Sequence, residues 1–194
     1  MSLEERVYSV LVVSASEKSN TALSDLLPES HYQPVRIVAS VSEAKLVWSE
    51  RGFDFVIVNS PLPDDPGTRF AVDVCDSGGA AVLILSRSEL CDGVRERVTA
   101  HGIFTLPKPV SRPILSLALD WMAAVRERMR KMEKKAVSFE EKMEEIRAVN
   151  RAKWLLISEL KMDEPQAHRY IEKQAMDRCV PKHEVAEEII RTYS

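Results

Sequence analysis

The amino-acid sequence predicts an α/β domain with a doubly wound, five-stranded parallel sheet, followed by a long helix and a small all-α domain. Over the first 110 residues, short runs rich in β-branched residues alternate with amphipathic segments. Strands that alternate with helices form a parallel sheet, because each crossover needs a helix that covers one face. The runs lie at 7–13, 34–40, 54–60, 80–86 and 103–106, and the amphipathic segments lie near 17–28, 42–51, 67–76 and 89–101.

Length and composition describe a globular protein with room for two domains. The 194 residues are 45% hydrophobic and 29% charged, and no apolar run approaches the roughly 18 residues of a membrane span. Acidic residues precede the first apolar run, so we expect no signal peptide and a cytoplasmic protein. Cys75, Cys91 and Cys179 lack the spacing of a zinc site or a disulfide framework. We interpret them as reduced thiols and expect no metal or cofactor.

The charge is unevenly distributed along the chain. Residues 1–110 carry 10 Lys and Arg against 15 Asp and Glu, residues 111–146 carry 8 against 7, and residues 147–194 carry 9 against 8. Nucleic-acid binding usually needs a basic excess on one face of a domain. If the protein has such a face, the charge counts favour the C-terminal part, where basic residues exceed acidic residues by only one.

Polar residues follow the predicted strands at their carboxyl ends, where ligands bind in open parallel sheets. Ser14 and Ala15 follow the first strand, Asn59 ends the third, Ser86 ends the fourth and Lys108 follows the fifth. The order of five βα units, the turn NSPLPDDPG and the segment LPKP resemble the receiver domain of response regulators, which has a flavodoxin-like fold. The resemblance covers about residues 5–125. Active members of the family have an acidic pair at the positions of Ser14 and Ala15, and a phosphoryl-accepting aspartate at the position of Asn59. This sequence departs from the family at all three positions.

These departures predict a pseudo-receiver that is not phosphorylated at the usual aspartate. An amide is not a carboxylate nucleophile, and magnesium is usually held by one or two carboxylates. Ser86 and Lys108 then become remnants of the site that we expect to hydrogen-bond Asn59. Three carboxylates nearby, those of Glu17, Asp64 and Asp65, are explained more simply by a helix start and a turn. Three alternatives to phosphorylation stay open: a small ligand at the receiver, a partner protein, or constitutive activity that is regulated by expression.

A single long helix is predicted after Pro113, because the next proline is Pro165 and no glycine intervenes. Apolar residues follow one another at alternating steps of three and four over more than four heptads, the pattern of a coiled coil. They are Leu115, Ala118, Met122, Val125, Met129, Met132, Ala136, Phe139, Met143 and Ile146.

We therefore expect a homodimer, since the pattern is longer than one small domain can cover. The alternative is a helix that packs back onto its own receiver. Asn150 continues the pattern at an a position, which favours a parallel pair of helices. The pattern also allows an antiparallel pair.

The C-terminal segment predicts a three-helix bundle. The long helix ends near Leu160, a second helix spans about 164–178 and a third spans about 181–192. Asp163 with Pro165 and Gln166 forms a helix start of the capping-box type. Small and branched apolar residues occur at helical spacing in each helix. They are Val149, Ala152, Leu156, Leu160, Ala167, Ile171, Ala175, Val185, Ala186, Ile189 and Ile190.

This C-terminal arrangement resembles the ANTAR domain, the RNA-binding output domain of transcription antiterminators. The segments AKWLLI (152–157), AHRYIEKQAM (167–176) and EVAEEII (184–190) carry the resemblance over about 45 residues. Glu172 and Lys182 depart from the family, which more often has a basic and an apolar residue there. The resemblance implies binding to hairpins in a nascent transcript, which prevents a terminator from forming.

Basic and aromatic residues of this segment are the candidates for RNA contact. Arg169 and Lys173 lie one helical turn apart and away from the Ala167 stripe. Tyr170 and His183 are candidates for stacking on a looped-out base. Trp121 and Trp154 are interpreted as packing groups. The remaining candidates, which border the same surface, are Lys153, Arg178 and Lys182.

The sequence thus predicts a dimeric antitermination regulator with a pseudo-receiver at 1–112, a coiled-coil helix at 113–146 and an ANTAR-like domain at 147–194. The alternative is a protein-interaction or signalling scaffold without nucleic-acid binding, which Glu172 and the nearly neutral charge suit. DNA binding is disfavoured, because the third helix has few side chains able to read base edges. An enzyme is disfavoured too, since no nucleophile, base and orienting group occur together.

Overall fold

A computed structural model describes residues 6–193, and the chain divides between Arg130 and Lys131 into two compact units. None of the described helices is both long enough and apolar enough to cross a membrane. The predicted boundaries at 112 and 146 stay predictions.

The first unit is built on a five-stranded parallel sheet. Its strands are β1 (Tyr8–Val13), β2 (Tyr32–Val38), β3 (Phe55–Asn59), β4 (Ala81–Arg87) and β5 (Phe104–Lys108), in the order β2-β1-β3-β4-β5. All neighbouring strands are parallel. This order is that of the flavodoxin-like fold, so the predicted fold class is confirmed.

Helices cover both faces of this sheet. They are α1 (Glu17–Ser24), α2 (Val41–Glu50), α3 (Thr68–Asp76) and α4 (Ser88–Val98), followed by a short 3₁₀ helix at Thr99–His101. Alternate residues of each central strand point to opposite faces. Val56 and Val58 of β3 therefore pack in a core cluster with residues of α2, α3 and α4, whereas Phe55 and Ile57 pack in the cluster on the other face.

The long helix α5 (Arg112–Leu160) begins in the core of the first unit. Leu115, Ala118, Leu119 and Met122 are buried in the same cluster as Phe55. Met122 is fully buried, so it has no surface to offer a second chain in this fold. This corrects the assignment of Met122 to a dimer seam: the first heptads of the pattern pack on their own receiver.

An ion-pair cluster attaches α5 to the amino end of the sheet. Arg126 Nε and Arg130 Nη2 donate to Asp54 Oδ1 at 2.9 and 2.7 Å, and the Ser9 backbone N–H donates to Asp54 Oδ2 at 3.0 Å. The guanidinium of Arg130 also lies 5.5 Å above the ring of Tyr8. Burial disfavours the charged Asp54 carboxylate, but these donors outweigh it and hold the pKa of that carboxyl below its usual value.

The second unit contains the rest of α5 with α6 (Glu164–Arg178) and α7 (Lys182–Tyr193). Asp163 Oδ1 accepts the N–H of Gln166, and Gln166 Oε1 accepts the N–H of Asp163, which completes the predicted capping box. A core cluster joins the three helices through small and branched side chains. Its buried members are Ala152, Leu156, Ala167, Ile171, Ala175, Val185, Ala186 and Ile189.

Candidate functional site

The carboxyl edge of the sheet holds a small buried hydrogen-bond network where a receiver would be phosphorylated. Asn59 Nδ2 donates to Ser14 Oγ at 2.9 Å, and Lys108 Nζ donates to Asn59 Oδ1 at 2.7 Å and to the Ser60 carbonyl at 2.5 Å. Ser14 and Asn59 are almost fully buried. The amide therefore joins the first, third and fifth strands through neutral groups and one lysine.

Lys108 is the charged member of this network. Burial, followed by the nearby charge of Arg87, lowers the pKa of the Lys108 ammonium from its usual value. Ser86 is buried at the end of β4 and makes no hydrogen bond to Asn59 among the described residues. Of the two predicted remnants, only Lys108 is found to bond the amide.

Two of the three carboxylates near this edge, those of Asp64 and Asp65, have structural roles, and Glu17 lies in the first turn of α1. Asp64 accepts hydrogen bonds at 3.0 Å from the backbone N–H groups of Val41 and Ser42 at the start of α2. These bonds lower the pKa of the Asp64 carboxyl. Asp65 accepts the Gly67 N–H at 2.6 Å in the following turn. With Ser14, Ala15 and an amide at the edge itself, the residues present do not fit a magnesium site.

The part of α5 in the second unit exposes large apolar side chains at heptad positions. Met132, Phe139 and Ile146 are 61%, 65% and 53% exposed. Asn150 is exposed as well, and Met143 is half-buried. In the first unit Val125 and Met129 are also half-buried.

A second apolar stripe on α5 was missed by the sequence reasoning. Ile114, Leu117 and Trp121 are exposed by 46 to 49% in the first unit. Their spacing of three and four places them on one helical face, beside the buried face of Leu115 and Met122. That spacing was readable in the sequence, but the stronger heptad pattern on the adjacent face concealed it.

Three of the predicted RNA-contacting cations are engaged in ion pairs within the second unit. Lys153 Nζ lies 2.8 Å from Glu164 Oε1, and Lys182 Nζ lies 2.5 Å from Glu172 Oε1. Arg178 pairs with both carboxylate oxygens of Glu188, at 2.5 and 2.6 Å. The sequence departures at Glu172 and Lys182 are thus partners of one another.

The other candidates on α6 face solvent. Arg169, Tyr170 and Lys173 are exposed, because Ala167 and Ile171 occupy the buried side of the helix. No carboxylate in the described part of the chain forms an ion pair with Arg169 or Lys173. Their charges are therefore available to a ligand outside the bundle.

One pocket of the second unit is lined by residues of all three helices and includes three of the RNA-contact candidates. It has a volume of about 400 Å³ and is lined by Asn150 and Lys153 of α5, His168 of α6, and Lys182 and His183 of α7. Lys153, Lys182 and His183 are separate candidates in the sequence, and the fold brings them to one concave surface. The other lining residues are Glu145, Ile146, Val149 and Pro181.

The interpretation of two tryptophans as packing groups is wrong for the fold of the single chain. Trp154 is 72% exposed on the second unit, and Trp121 is exposed on the first. An exposed tryptophan is often an interface residue. In the second unit, Met176 is similarly exposed.

Comparison with known proteins agrees with both resemblances. The ANTAR domain model matches residues 138–190. The chain is 26% identical to the transcriptional regulatory protein PdtaR of Mycobacterium tuberculosis over 183 residues, which are 94% of this chain and 89% of PdtaR. It is 32% identical to the aliphatic amidase regulator of Pseudomonas aeruginosa over 92 residues, which are 46% of this chain and 45% of that regulator.

The solved structures identify the fold of the first unit. The signal receiver domain of an HD domain-containing protein from Pseudomonas fluorescens superposes with a TM-score of 0.59 at 20% identity, covering 68% of this chain and 96% of that domain. The chain thus combines the receiver fold of response regulators with an ANTAR domain at residues 138–190. The chain is similar to two regulatory proteins, and its similarity to PdtaR extends over almost the whole length of both chains.

Proposed function

We propose that this protein is a transcription antitermination regulator that binds hairpins in nascent RNA as a dimer, with a receiver that is not phosphorylated at the usual aspartate. The match of the ANTAR domain to residues 138–190 carries the proposal. The names of the two relatives, a transcriptional regulatory protein and an amidase regulator, agree with a regulatory role.

The surface of the ANTAR unit supplies groups that suit RNA. Arg169 and Lys173 have no described acidic partner and offer two adjacent cations to phosphates. Tyr170 lies between them in sequence on the same exposed helix and offers a ring for stacking on an unpaired base. We assign phosphate contacts to Arg169 and Lys173 first. Lys153, Arg178 and Lys182 must exchange a carboxylate for a phosphate, so we assign them weaker contributions.

Dimerisation is supported by the exposed apolar residues of α5. Met132, Phe139 and Ile146 repeat at heptad spacing and are more than half exposed in a single chain. Soluble chains rarely leave such a continuous apolar stripe in water, and a second copy of the same helix covers it by knobs-into-holes packing. A dimer carries two ANTAR domains, so a transcript with two suitably spaced hairpins is bound with an increased effective concentration.

RNA binding is tested with the full-length protein and a pool of bacterial transcripts, followed by the selected hairpin over a range of salt concentrations. We expect the log of the affinity to fall linearly with the log of the salt concentration, by roughly 0.7 to 0.9 per phosphate contact. The variant with Arg169→Glu and Lys173→Glu should bind more weakly and have a flatter slope. The matched control, Arg36→Glu with Lys45→Glu on the receiver unit, should bind like the unmodified protein.

A second candidate function is a protein-interaction scaffold. It is favoured by the ion pairs that neutralise Lys153, Arg178 and Lys182 within the bundle. Failure of the folded dimer to select any RNA at low salt would support this scaffold and contradict the antitermination proposal. Equal loss of binding in the control variant would show that only overall charge matters.

The receiver part of the proposal is tested with a small phosphodonor and magnesium, and the protein mass is then measured. We expect no phosphoryl adduct on the unmodified chain, because the Asn59 amide is not a nucleophile. Asn59→Asp alone should also give none, since Ser14 and Ala15 still provide no carboxylate for the metal. An active receiver serves as the positive control, and an acid-labile adduct on the receiver unit would contradict the proposal.

A further inference from the structure

A pocket of about 440 Å³ opens beside the Asn59 network on the receiver unit. It lies between α1, the carboxyl ends of β3, β4 and β5, and the start of α5. Apolar side chains of α1, β4, α5 and the segment after β5 form most of its wall. They are Ala22, Leu23, Leu85, Pro109, Val110 and Leu115.

The polar part of the wall is cationic. Lys108 and Lys18 line the pocket together with Ser19 and Asn59, and none of the described lining residues is acidic. The ammonium of Lys108 has three N–H donors, of which two go to Asn59 Oδ1 and the Ser60 carbonyl. One donor is therefore left for an acceptor in the pocket.

The lining selects for one class of ligand. A volume of this size falls within the usual range for small-molecule pockets, and an apolar wall favours a hydrocarbon body. The two lysines, without a carboxylate to neutralise them, favour a negative head group. A simple inorganic anion satisfies the lysines but leaves the apolar wall in contact with water.

We propose that this pocket binds a small amphiphilic monocarboxylate, with the carboxylate at Lys108 and the hydrocarbon chain against Leu23, Leu85 and Leu115. All residues of this site belong to the receiver unit, and the proposal does not require the antitermination proposal. It adjoins the position at which an active receiver is phosphorylated. A charge-assisted hydrogen bond from Lys108 fixes the head group, and burial of each methylene adds affinity.

Calorimetric titration of the full-length protein tests this site with straight-chain carboxylates from acetate to octanoate, with octanamide and with inorganic phosphate. Each added methylene should tighten binding by about fourfold until the apolar wall is covered, which corresponds to about 0.8 kcal/mol. Octanamide should bind at least about tenfold more weakly than octanoate, because it lacks the charge. Phosphate should neither match octanoate nor compete strongly with it.

Two variants separate the head group from the chain. Lys108→Met should weaken octanoate binding by at least about tenfold and bring it to the level of octanamide. Ala22→Leu, at an exposed position of α1 on the pocket wall, should shorten the chain length that still binds. Ala124→Leu is the matched control, at an exposed alanine of α5 outside the pocket, and should change nothing.

Several results would overturn the proposal. The proposal is wrong if no carboxylate binds at millimolar concentration. It is also wrong if octanamide binds as tightly as octanoate, or if phosphate does. An unchanged affinity in Ala22→Leu would place the ligand elsewhere, and this variant remains informative if Lys108→Met fails to fold. Support requires the chain-length series, the charge requirement and the effect of Ala22→Leu together.

Discussion

The two halves of helix α5 carry the same apolar repeat but meet different surroundings. Leu115 and Met122 are buried in the core of the receiver unit. Met132 and Phe139, at d positions of the same heptad repeat, are 61% and 65% exposed. The periodicity of a sequence therefore identifies which face of a helix is apolar, and it does not identify what covers that face.

The difference arises from what lies beside each half in the single chain. The first half faces the sheet, where Phe55 and Ile57 complete its packing, and Asp54 fixes it through Arg126 and Arg130. In the second half, the segment 131–146 has no buried residue, whereas Ala152 and Leu156 further along pack in the core with α6 and α7. We therefore expect substitutions on the buried face of the first half to change the stability of the fold, and substitutions on the apolar face of 131–146 to change its assembly.

The largest expected effect follows from placing charges on the exposed half. Met132→Glu with Phe139→Glu puts four carboxylates into the proposed dimer seam, where they must be desolvated. Dimerisation should weaken by at least about 1,000-fold, or about 4 kcal/mol, as measured by sedimentation equilibrium. The matched control adds the same charges off the seam, with Val137→Glu and Ser138→Glu, and should stay dimeric. A dimer that survives the seam variant would place the interface elsewhere.

Truncation in the buried half should instead destabilise the receiver. Met122→Ala removes a fully buried side chain and leaves a cavity, which costs about 3 kcal/mol. Met132→Ala, the same substitution on the exposed half, should change the free energy of unfolding by less than about 0.5 kcal/mol. Urea denaturation at a concentration where all variants have one oligomeric state gives this comparison. Similar values for the two variants would contradict the distinction between the halves.

The attachment of α5 at Asp54 predicts a smaller effect that depends on pH. Asp54→Asn removes the charge that Arg126 and Arg130 share, and should cost about 2 kcal/mol at neutral pH. The pKa of this carboxyl is lowered in the fold, so its stabilisation is present above the unfolded pKa of about 3.9 and is lost as the pH falls through the folded value. The difference in unfolding free energy between the two proteins should therefore shrink below about pH 4.

An exposed aspartate provides the control for this prediction. Asp73→Asn on α3 removes the same charge where no described ion pair exists, and its effect on stability should be close to zero at every pH. A constant difference between the Asp54 variant and the unmodified protein down to pH 3 would show that the carboxylate charge does not stabilise the attachment.

Local patterns predicted the elements of this fold closely. The capping residues at Asp163, Pro165 and Gln166 place the start of α6, because they satisfy backbone groups within a few residues. The largest deviation in a strand is at β2, which spans Tyr32–Val38, whereas the apolar run in the sequence lies at 34–40 and begins with Pro34. β2 is an edge strand, and proline is tolerated there because one side of the strand has no partner.

The side-chain contacts of the candidate sites were less predictable from the sequence. The bond between Lys108 and Asn59 was expected, because the ends of β3 and β5 lie at the same edge of a parallel sheet. The pairing of Lys182 with Glu172 was not, since it depends on how closely α6 and α7 approach. The exposure of Trp154 depends equally on the arrangement of three helices. Such contacts are set by tertiary geometry, which a local pattern does not contain.

The smallest expected effect concerns the one polar residue in the heptad pattern of the exposed half. Asn150 is exposed in the single chain and occupies an a position. In a parallel dimer it faces Asn150 of the second copy, and a buried amide pair lowers stability while it fixes the register. Asn150→Leu should therefore tighten dimerisation by about fivefold, or about 1 kcal/mol, and should permit species larger than a dimer.

The same variant distinguishes the two orientations of the helices. In an antiparallel pair Asn150 faces a different part of the partner helix and forms no amide pair with the second Asn150. Its replacement should then leave the register of the two helices unchanged. Glu144→Leu, at an exposed position off the a and d stripe, is the control for added hydrophobicity. Sedimentation velocity across a concentration series measures both variants. Tighter, less uniform assembly in Asn150→Leu alone would support the parallel dimer, and equal behaviour of the two variants would contradict it.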